Sequence, residues 1–178
     1  MVHTIGNNAR TYCGCIGCLL SSRLKRRKRC CFRQSVFHPS TTATMEKWLN
    51  DMLCQKYPKI FAERYASKDA SSMAWGIMCG DGWFDLLDAL CSSLQFQTDR
   101  CGAPQVLASQ VKEKFGALSF YRKNASEPQR GMIAMAEAMS TRICERCGKP
   151  GQMLVFDSLG KTLCTEHAPD GARPLAAD

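Results

Sequence analysis

Four residues near the C-terminus have the types and the spacing of a metal-binding site. Cys144 and Cys147 form a C-x2-C pair followed by Gly148, and Cys164 and His167 form a C-x2-H pair after sixteen further residues. Two ligands separated by two residues can turn toward one ion, and a glycine after the pair permits the backbone turn. Three thiolates and one imidazole are typical ligands of Zn²⁺ in a closed tetrahedral site. The spacing therefore predicts one structural zinc ion per chain, with no coordination position open for catalysis.

No catalytic motif stands beside this site. The chain has no G-x-S-x-G, no Walker loop, no H-E-x-x-H and no dinucleotide-binding glycine pattern. Two of its three histidines lie in the first 44 residues and the third is a predicted zinc ligand, which nearly excludes a histidine general base. The sequence therefore favours a non-enzymatic protein.

Three aspartates offer an alternative in which the protein is a metal-dependent enzyme. Asp81, Asp85 and Asp88 are spaced i, i+4 and i+7, so they would share a helix face and could bind Mg²⁺. The favoured interpretation is structural: Asp81 caps the helix that follows, while Asp85 and Asp88 complement the dipole at its N-terminus.

A second group of residues could contact a partner. Basic and aromatic side chains lie together in a predicted hairpin that could follow a phosphate backbone, although Glu113 interrupts them. Trp83 could add a stacking surface, but an aromatic residue at the start of a helix is more often a core anchor. The candidate contacts to protein or nucleic acid are Trp83, Lys112, Lys114, Tyr121 and Arg122.

The net charge of +8 comes entirely from residues 1–44, which contain eight Lys or Arg and no Asp or Glu. Residues 45–178 contain sixteen basic and sixteen acidic side chains and are formally neutral. The basic segment has three interpretations: an organellar targeting segment, a nuclear-localisation or nucleic-acid arm, or an over-extended reading frame whose physiological start is Met45. The third is favoured because the composition changes abruptly at Met45.

Five of the twelve cysteines also lie in this segment. No secretory signal precedes them, so a reducing compartment is expected and metal binding is favoured over disulfides. They could form a second thiolate site or be reactive or lipid-modified, and the alternative is a disordered or non-native tail. These residues are Cys13, Cys15, Cys18, Cys30 and Cys31.

Helical periodicity places the elements between Met45 and the metal ligands. A helical apolar stripe is expected over Trp48, Met52, Tyr57 and Phe61, although Pro58 must end or restart a helix within it. We also expect a helix of about three turns over 84–94 and a loop over 97–104. Residues 106–111 and 118–121 predict a β-hairpin around Gly116, with a helix over 106–115 as the alternative. An amphipathic helix over 129–143 then leads directly to Cys144.

The two ligand pairs flank a second predicted hairpin. The pattern predicts strands over 153–156 and 161–163 around a turn at 157–160. The second strand would then bring Cys164 back beside the first ligand pair. Together these elements predict an α+β fold, with helices packed on a small antiparallel hairpin and a C-terminal Cys3His zinc ribbon. The expected divisions are a basic Cys-rich tail (1–44), an α+β domain (45–142), the ribbon (143–168) and a flexible tail (169–178).

Four strings in this region resemble one family. C-G-D-G-W-F-D-L-L from Cys79, V-K-E-K-F-G-A-L-S-F-Y from Val111, C-E-R-C-G-K-P-G from Cys144 and T-L-C-T-E-H-A from Thr162 are similar to small bacteriophage and prophage proteins of uncharacterised function. The resemblance covers about residues 73–168, and the family has Arg where this chain has Ser119. It implies a viral or prophage origin, a bacterial cytoplasmic setting and a zinc-bound C-terminal segment. It does not indicate which activity the protein has.

These observations lead to two functional hypotheses. The first is a non-enzymatic zinc-binding phage or prophage accessory protein that binds a host or phage protein in the cytoplasm of a bacterial host cell. The alternative is a zinc-ribbon protein that binds nucleic acid or regulates its use. No apolar run reaches the ~20 residues needed to cross a bilayer, so a membrane role is not expected.

Overall fold

The computed structural model describes residues 44–175, and the predictions made for 1–43 and 176–178 lie outside this part. Three α-helices are present: α1 (Lys47–Lys56), α2 (Phe84–Cys101) and α3 (Glu127–Ser140). One sheet contains β1 (Ile77–Met78), β2 (Leu107–Lys114) and β3 (Ala117–Lys123). A second sheet contains β4 (Gln152–Phe156), β5 (Leu159–Leu163) and β6 (Arg173–Pro174), and short 3-10 helices span Ala62–Tyr65, Ser72–Trp75 and Asp81–Trp83. The mixed helix-and-sheet fold that the sequence predicts is confirmed.

We call residues 44–142 the body and residues 143–175 the metal module. In the body, β2 lies between β1, which is parallel to it, and β3, which is antiparallel to it. Lys114 pairs with Ala117, which leaves Phe115 and Gly116 as a two-residue turn in which both φ angles are positive (52° and 83°). This backbone suits the twist of a tight hairpin. The predicted hairpin is confirmed, and the alternative helix over 106–115 is wrong.

The core of the body lies between the sheet and the helices, with Trp83 and Phe120 among its largest buried side chains. The apolar stripe predicted from residue 48 to residue 61 is only partly buried, because Trp48 is 62% exposed. Leu49 and Leu53 form the buried face of α1 instead. The helix ends at Lys56, so its periodicity cannot be continued through the later members of the stripe.

Helix α2 is longer than the sequence predicts, because residues 97–101 are helical and not a loop. The polar residues at its end predict a loop, yet Thr98 Oγ1 donates a hydrogen bond to the Leu94 carbonyl one helical turn before it. The helix ends at Gly102, which has a left-handed backbone (φ 67°). The polar residues of 97–101 therefore belong to the solvent-facing side of α2 and not to a loop.

Helix α3 covers the free edge of β3. The backbone N–H of Leu118 donates to Ser140 Oγ (2.8 Å), and that of Phe120 donates to Glu137 Oε1 (2.8 Å). An edge strand whose backbone N–H groups already donate hydrogen bonds is poorly suited to form a sheet with a strand of another chain. Within residues 44–175, no helix has both the length and the apolar character that a membrane crossing requires.

In the metal module, β4 is the central strand, with β5 and β6 on its two sides. Strands β4 and β5 form the predicted hairpin, and Asp157 and Ser158 make its turn with positive φ angles of 48° and 64°. Within the segment predicted as a flexible tail, Arg173–Pro174 pair with β4. Short strands of this kind carry almost no periodicity in the sequence.

Candidate metal centre

The donor atoms of Cys144, Cys147, Cys164 and His167 all lie within 4.8 Å of one another. The Sγ atoms of Cys147 and Cys164 are 3.7 Å apart, and Nδ1 of His167 is 3.3 Å from Cys164 Sγ and 3.5 Å from Cys144 Sγ. Ion–ligand bonds of about 2.3 Å to sulfur and 2.0 Å to nitrogen would give tetrahedral separations of about 3.8 Å and 3.5 Å. The four side chains are therefore spaced to hold one metal ion.

A tight backbone turn presents the first ligand pair. The Gly148 N–H donates to the Cys144 carbonyl (2.9 Å), and the Cys144 N–H donates to the Lys149 carbonyl (2.8 Å). Gly148 has a φ of 73°, the left-handed backbone that its position after the C-x2-C pair predicts. A residue with a side chain would be strained at this point, so the turn depends on glycine.

The β4–β5 hairpin brings the second pair to the first. Strand β5 ends at Leu163, and a turn follows in which the His167 N–H donates to the Cys164 carbonyl (3.0 Å). The Glu145 N–H donates to the Thr162 carbonyl (2.9 Å), which joins the first turn to the end of β5. The predicted return of the second pair to the first is confirmed.

The ligands differ in how readily they lose a proton. Burial raises the pKa of the Cys147 thiol to about 11. Burial also acts to raise the pKa of Cys164, but hydrogen bonds from the two neighbouring thiols and from backbone N–H groups outweigh it and lower that pKa. Burial, with help from the Arg146 charge, lowers the pKa of His167, so its imidazole is neutral at pH 7. Metal binding must therefore displace at least the Cys147 proton.

The C-G-D-G-W string packs directly on the first ligand turn. The Gly82 N–H donates to the Glu145 carbonyl (2.8 Å). A Cβ atom on Gly82 would lie 2.2 Å from the Cys144 carbonyl oxygen and 2.6 Å from the Cys147 nitrogen, and one on Gly80 would lie 2.3 Å from the Glu145 oxygen. Both glycines are required because backbone meets backbone here. The sequence analysis did not predict this contact.

Trp83 also holds the first ligand turn against the body, from within the core. Its side chain is fully buried, and its Nε1–H donates to the Ile143 carbonyl (2.8 Å), immediately before the first ligand. The suggestion that Trp83 contacts a partner or nucleic acid is therefore wrong, because no partner can reach the ring. The alternative interpretation of Trp83 as a core anchor is confirmed.

A buried ion network supports the ligand turn. Glu145 is 2% exposed and accepts hydrogen bonds from the Gly80 N–H (3.0 Å) and from Lys161 Nζ (3.3 Å). Lys161 Nζ also pairs with Glu113 at 2.5 Å. Burial raises the pKa of Glu145, and the Lys161 charge opposes that rise. No sequence signal links Glu113, Glu145 and Lys161, because these three residues meet only through tertiary packing.

The turns of the two hairpins also touch. Thr162 Oγ1 donates to the Gly116 carbonyl (2.6 Å), and a Cβ atom on Gly160 would lie 2.9 Å from the Phe115 carbonyl oxygen. The V-K-E-K-F-G string thus contacts the strand that precedes Cys164. Two of the four strings noted in the sequence therefore contact the metal module.

The three aspartates do not form a second metal site. Asp81 Oδ1 accepts the Glu46 N–H (2.8 Å), so it caps α1 and not, as predicted, the helix that follows it. Asp88 pairs with Lys56 (2.8 Å), while Asp85 lies exposed in the first turn of α2. Within residues 44–175, the Cys3His set is the one group of three or more potential ligands close enough to share an ion.

The remaining candidate contacts lie on the first sheet. Lys112, Lys114 and Tyr121 occupy alternate positions that face away from the core, because their neighbours Val111 and Phe120 are buried. Arg122 is exposed but falls on the opposite side of β3 from Tyr121. The structure therefore brings together three of the four basic and aromatic residues that the sequence grouped.

Comparisons with protein-family models, with curated proteins and with solved structures found no match to this chain. What the molecule itself defines is a mixed helix-and-sheet protein with a Cys3His cluster that could bind a metal ion.

Proposed function

We propose that this protein is a non-enzymatic zinc-binding accessory protein of phage or prophage origin, which acts in the bacterial cytoplasm by binding another protein. The observation that carries the proposal is the tetrahedral spacing of the donor atoms of Cys144, Cys147, Cys164 and His167. Three thiolates and one imidazole suit zinc, and four protein ligands leave no position for a substrate. The ion is therefore structural.

The ligand arrangement is that of a zinc ribbon. One ligand pair lies in a turn before β4, the other follows β5, and the antiparallel hairpin joins them. The ion would hold the two ends of a segment that has little apolar core of its own. Its role is to fix the β4–β5 turn beside the β2–β3 turn.

Metal analysis of the full chain tests the zinc assignment. We expect one equivalent of zinc in the purified protein and its loss in Cys147→Ser. Cys101→Ser is the matched control, because Cys101 is also exposed but lies at the end of α2, outside the cluster. Equal zinc in the two variants would contradict the ligand assignment, and a different bound metal would contradict the choice of zinc.

Two exposed apolar side chains support a protein-binding role. Phe115 is 76% exposed and Leu159 is 57% exposed, and the backbones of the two turns that carry them are in contact. Phe115 also has a φ of 52°, which is uncommon for a residue other than glycine. Exposed apolar groups on adjoining turns are typical of interaction sites. The partner is a host or phage protein with an apolar surface.

Affinity capture from phage-infected bacterial lysate, followed by binding measurements with the purified partner, tests this role. Phe115→Asn should abolish capture, since asparagine tolerates the left-handed backbone while removing the ring. Phe96→Gln is the control, because Phe96 is 58% exposed on the body far along α2. Equal binding of the partner to both variants would contradict the proposed surface.

A further inference from the structure

The first sheet has an open face that the proposed protein contact does not use. Strands β2 and β3 bury Val111, Leu118 and Phe120 against the helices. The alternate residues face outward and are only partly buried or exposed. We call this outward surface the sheet face, and it comprises Gln110, Lys112, Lys114, Ser119, Tyr121 and Lys123.

The sheet face is positively charged although the residues after 44 are neutral overall. Within residues 44–175, neither Lys112 nor Lys114 has an ion-pair partner: Lys112 Nζ lies 5.5 Å from the Tyr121 ring centre, and Lys114 Nζ lies 5.6 Å from that of Phe115. Glu113, which interrupts the lysines in sequence, is turned away and pairs with Lys161. The charge available to an anionic ligand is therefore that of the two lysines.

A pocket of about 290 Å³ opens beside Tyr121 on this face. Its lining includes the hydroxyl and amide groups of Ser72, Ser109 and Gln110, which can both donate and accept hydrogen bonds. The pocket also contains the Lys123–Glu63 ion pair (2.6 Å), which is locally neutral. Tyr121 is 41% exposed, so a flat ligand can reach its ring from the pocket.

We propose that the sheet face binds single-stranded nucleic acid, with one base stacked on Tyr121 at the pocket and the flanking phosphates contacted by Lys112 and Lys114. A base supplies the flat aromatic surface and the hydrogen-bonding edge that the ring and the pocket groups can recognise. An acidic peptide would satisfy the lysines but would leave the ring and the pocket without a matching group. This binding goes beyond the proposed function, because it uses the sheet face, which adjoins Phe115, and a different class of partner.

Fluorescence anisotropy with labelled oligothymidylate and oligouridylate tests the proposal and separates DNA from RNA. The full chain is used with its five basic residues between 25 and 29 changed to Gln, which lowers nonspecific binding by that segment. Tyr121→Ala should weaken binding about 5- to 150-fold, whereas Tyr121→Phe should retain it, since stacking needs only the ring. Lys112→Gln should lower the slope of log affinity against log salt by about 0.7.

The controls match each change in type. Tyr65→Ala removes an aromatic ring that is 77% exposed but does not line the pocket. Lys59→Gln removes one charge that pairs with Asp99 and is not part of the sheet face. Neither should change affinity by more than about twofold, and all variants should retain their metal and melting temperature. Equal weakening by Tyr121→Ala and Tyr65→Ala would overturn the proposal.

Three further results would overturn it. One is loss of all binding when residues 25–29 are changed, which would assign the activity to the N-terminal segment. Another is full competition by polyglutamate, which would favour an acidic protein partner. The third is equal affinity for duplex and single strands, because a base within a duplex cannot stack on Tyr121.

Discussion

The body and the metal module reach stability by different means. Twenty-two buried apolar residues form the core of the body, whereas the module has four, and two of these are the ligands Cys144 and Cys164. A core of the first size can hold helices and a sheet together, but the second cannot compensate the entropy of ordering its own residues. We therefore expect the module to depend on a bound metal ion and on its contact with the body.

That contact is made of backbone and buried polar groups more than of apolar side chains. Gly82 lies against the first ligand turn, Trp83 donates to Ile143, and Glu145 joins Gly80 to Lys161. Hydrogen bonds and close backbone contacts depend on direction, so together they define one position of the module on the body. The body holds the first ligand turn in this position, and we expect a bound metal ion to join that turn to the second ligand pair.

Removing the metal should have the largest effect and should separate the two regions. With chelator present, we expect amide hydrogen exchange to lose protection across residues 143–168 while α2 and β2 keep theirs, because zinc contributes on the order of 10 kcal/mol to sites of this kind. Cys147→Ser should already show the exposed pattern and should not change further with chelator. Equal loss of protection in both regions would contradict the comparison.

Gly82→Ala should disrupt the contact between the two regions. The added Cβ would lie 2.2 Å from a backbone oxygen and 2.5 Å from a backbone nitrogen, neither of which can move as a side chain could. We expect a loss of about 3 kcal/mol or more of unfolding free energy, together with weaker zinc binding. Urea unfolding and competition with a zinc chelator measure these two effects.

Gly131→Ala is the matched control for that change. Nothing lies within 4 Å of a Cβ atom at Gly131, which is exposed within α3, so alanine should stabilise the protein by about 0.5 to 1 kcal/mol. If Gly82→Ala unfolds like the native protein or like this control, the close backbone approach is not present in solution.

Trp83→Phe should have a smaller effect, felt in both regions. Phenylalanine leaves a void in the core and removes the donor to the Ile143 carbonyl, at a cost of about 2 kcal/mol. Trp48→Phe, at a site that is 62% exposed, should change stability by less than about 0.5 kcal/mol. Thermal melting of the two variants measures the difference, and equal melting temperatures would show that Trp83 is not a core anchor.

The sequence predicted the proximity of the four Cys3His side chains, because the signals for it lie close together along the chain. The C-x2-C and C-x2-H spacings, Gly148 and the hairpin between the pairs each lie within a few residues of the ligands. The hairpin of the body was predictable for the same reason, since alternation and one glycine specify it. These elements need no knowledge of what packs against them.

The sequence predictions fail for residues whose role is determined by tertiary contacts. Asp81 has the sequence of a cap for the helix after it, but its carboxylate caps α1, which lies 35 residues earlier. Trp83 was considered as a contact surface, yet packing places it fully inside. Glu145 and Lys161 meet across the module and were not paired at all. Spacing along the chain contains no signal for such contacts.

The last prediction concerns the body alone. Burial acts to raise the pKa of Asp88, but hydrogen bonds from Lys56 (2.8 Å) and from the Tyr57 hydroxyl (2.9 Å) outweigh it and hold that pKa below its ordinary value. A carboxylate with a lowered folded-state pKa stabilises the protein above its unfolded pKa of about 3.9 and loses this effect as pH falls through the folded pKa.

Asp88→Asn should therefore destabilise the body above about pH 5, and the difference from the native chain should shrink as pH falls below about 4 and through the folded-state pKa. The loss should be under about 1 kcal/mol, because water screens this partly exposed pair and asparagine keeps an oxygen for Tyr57. Urea unfolding with chelator at each pH excludes any contribution from the metal. Asp69→Asn, at an exposed aspartate without an ion-pair partner among residues 44–175, should have no effect at either pH. A difference for Asp88→Asn that persists at low pH would mean that asparagine is disfavoured for its shape, and that the charge of Asp88 contributes nothing to the body.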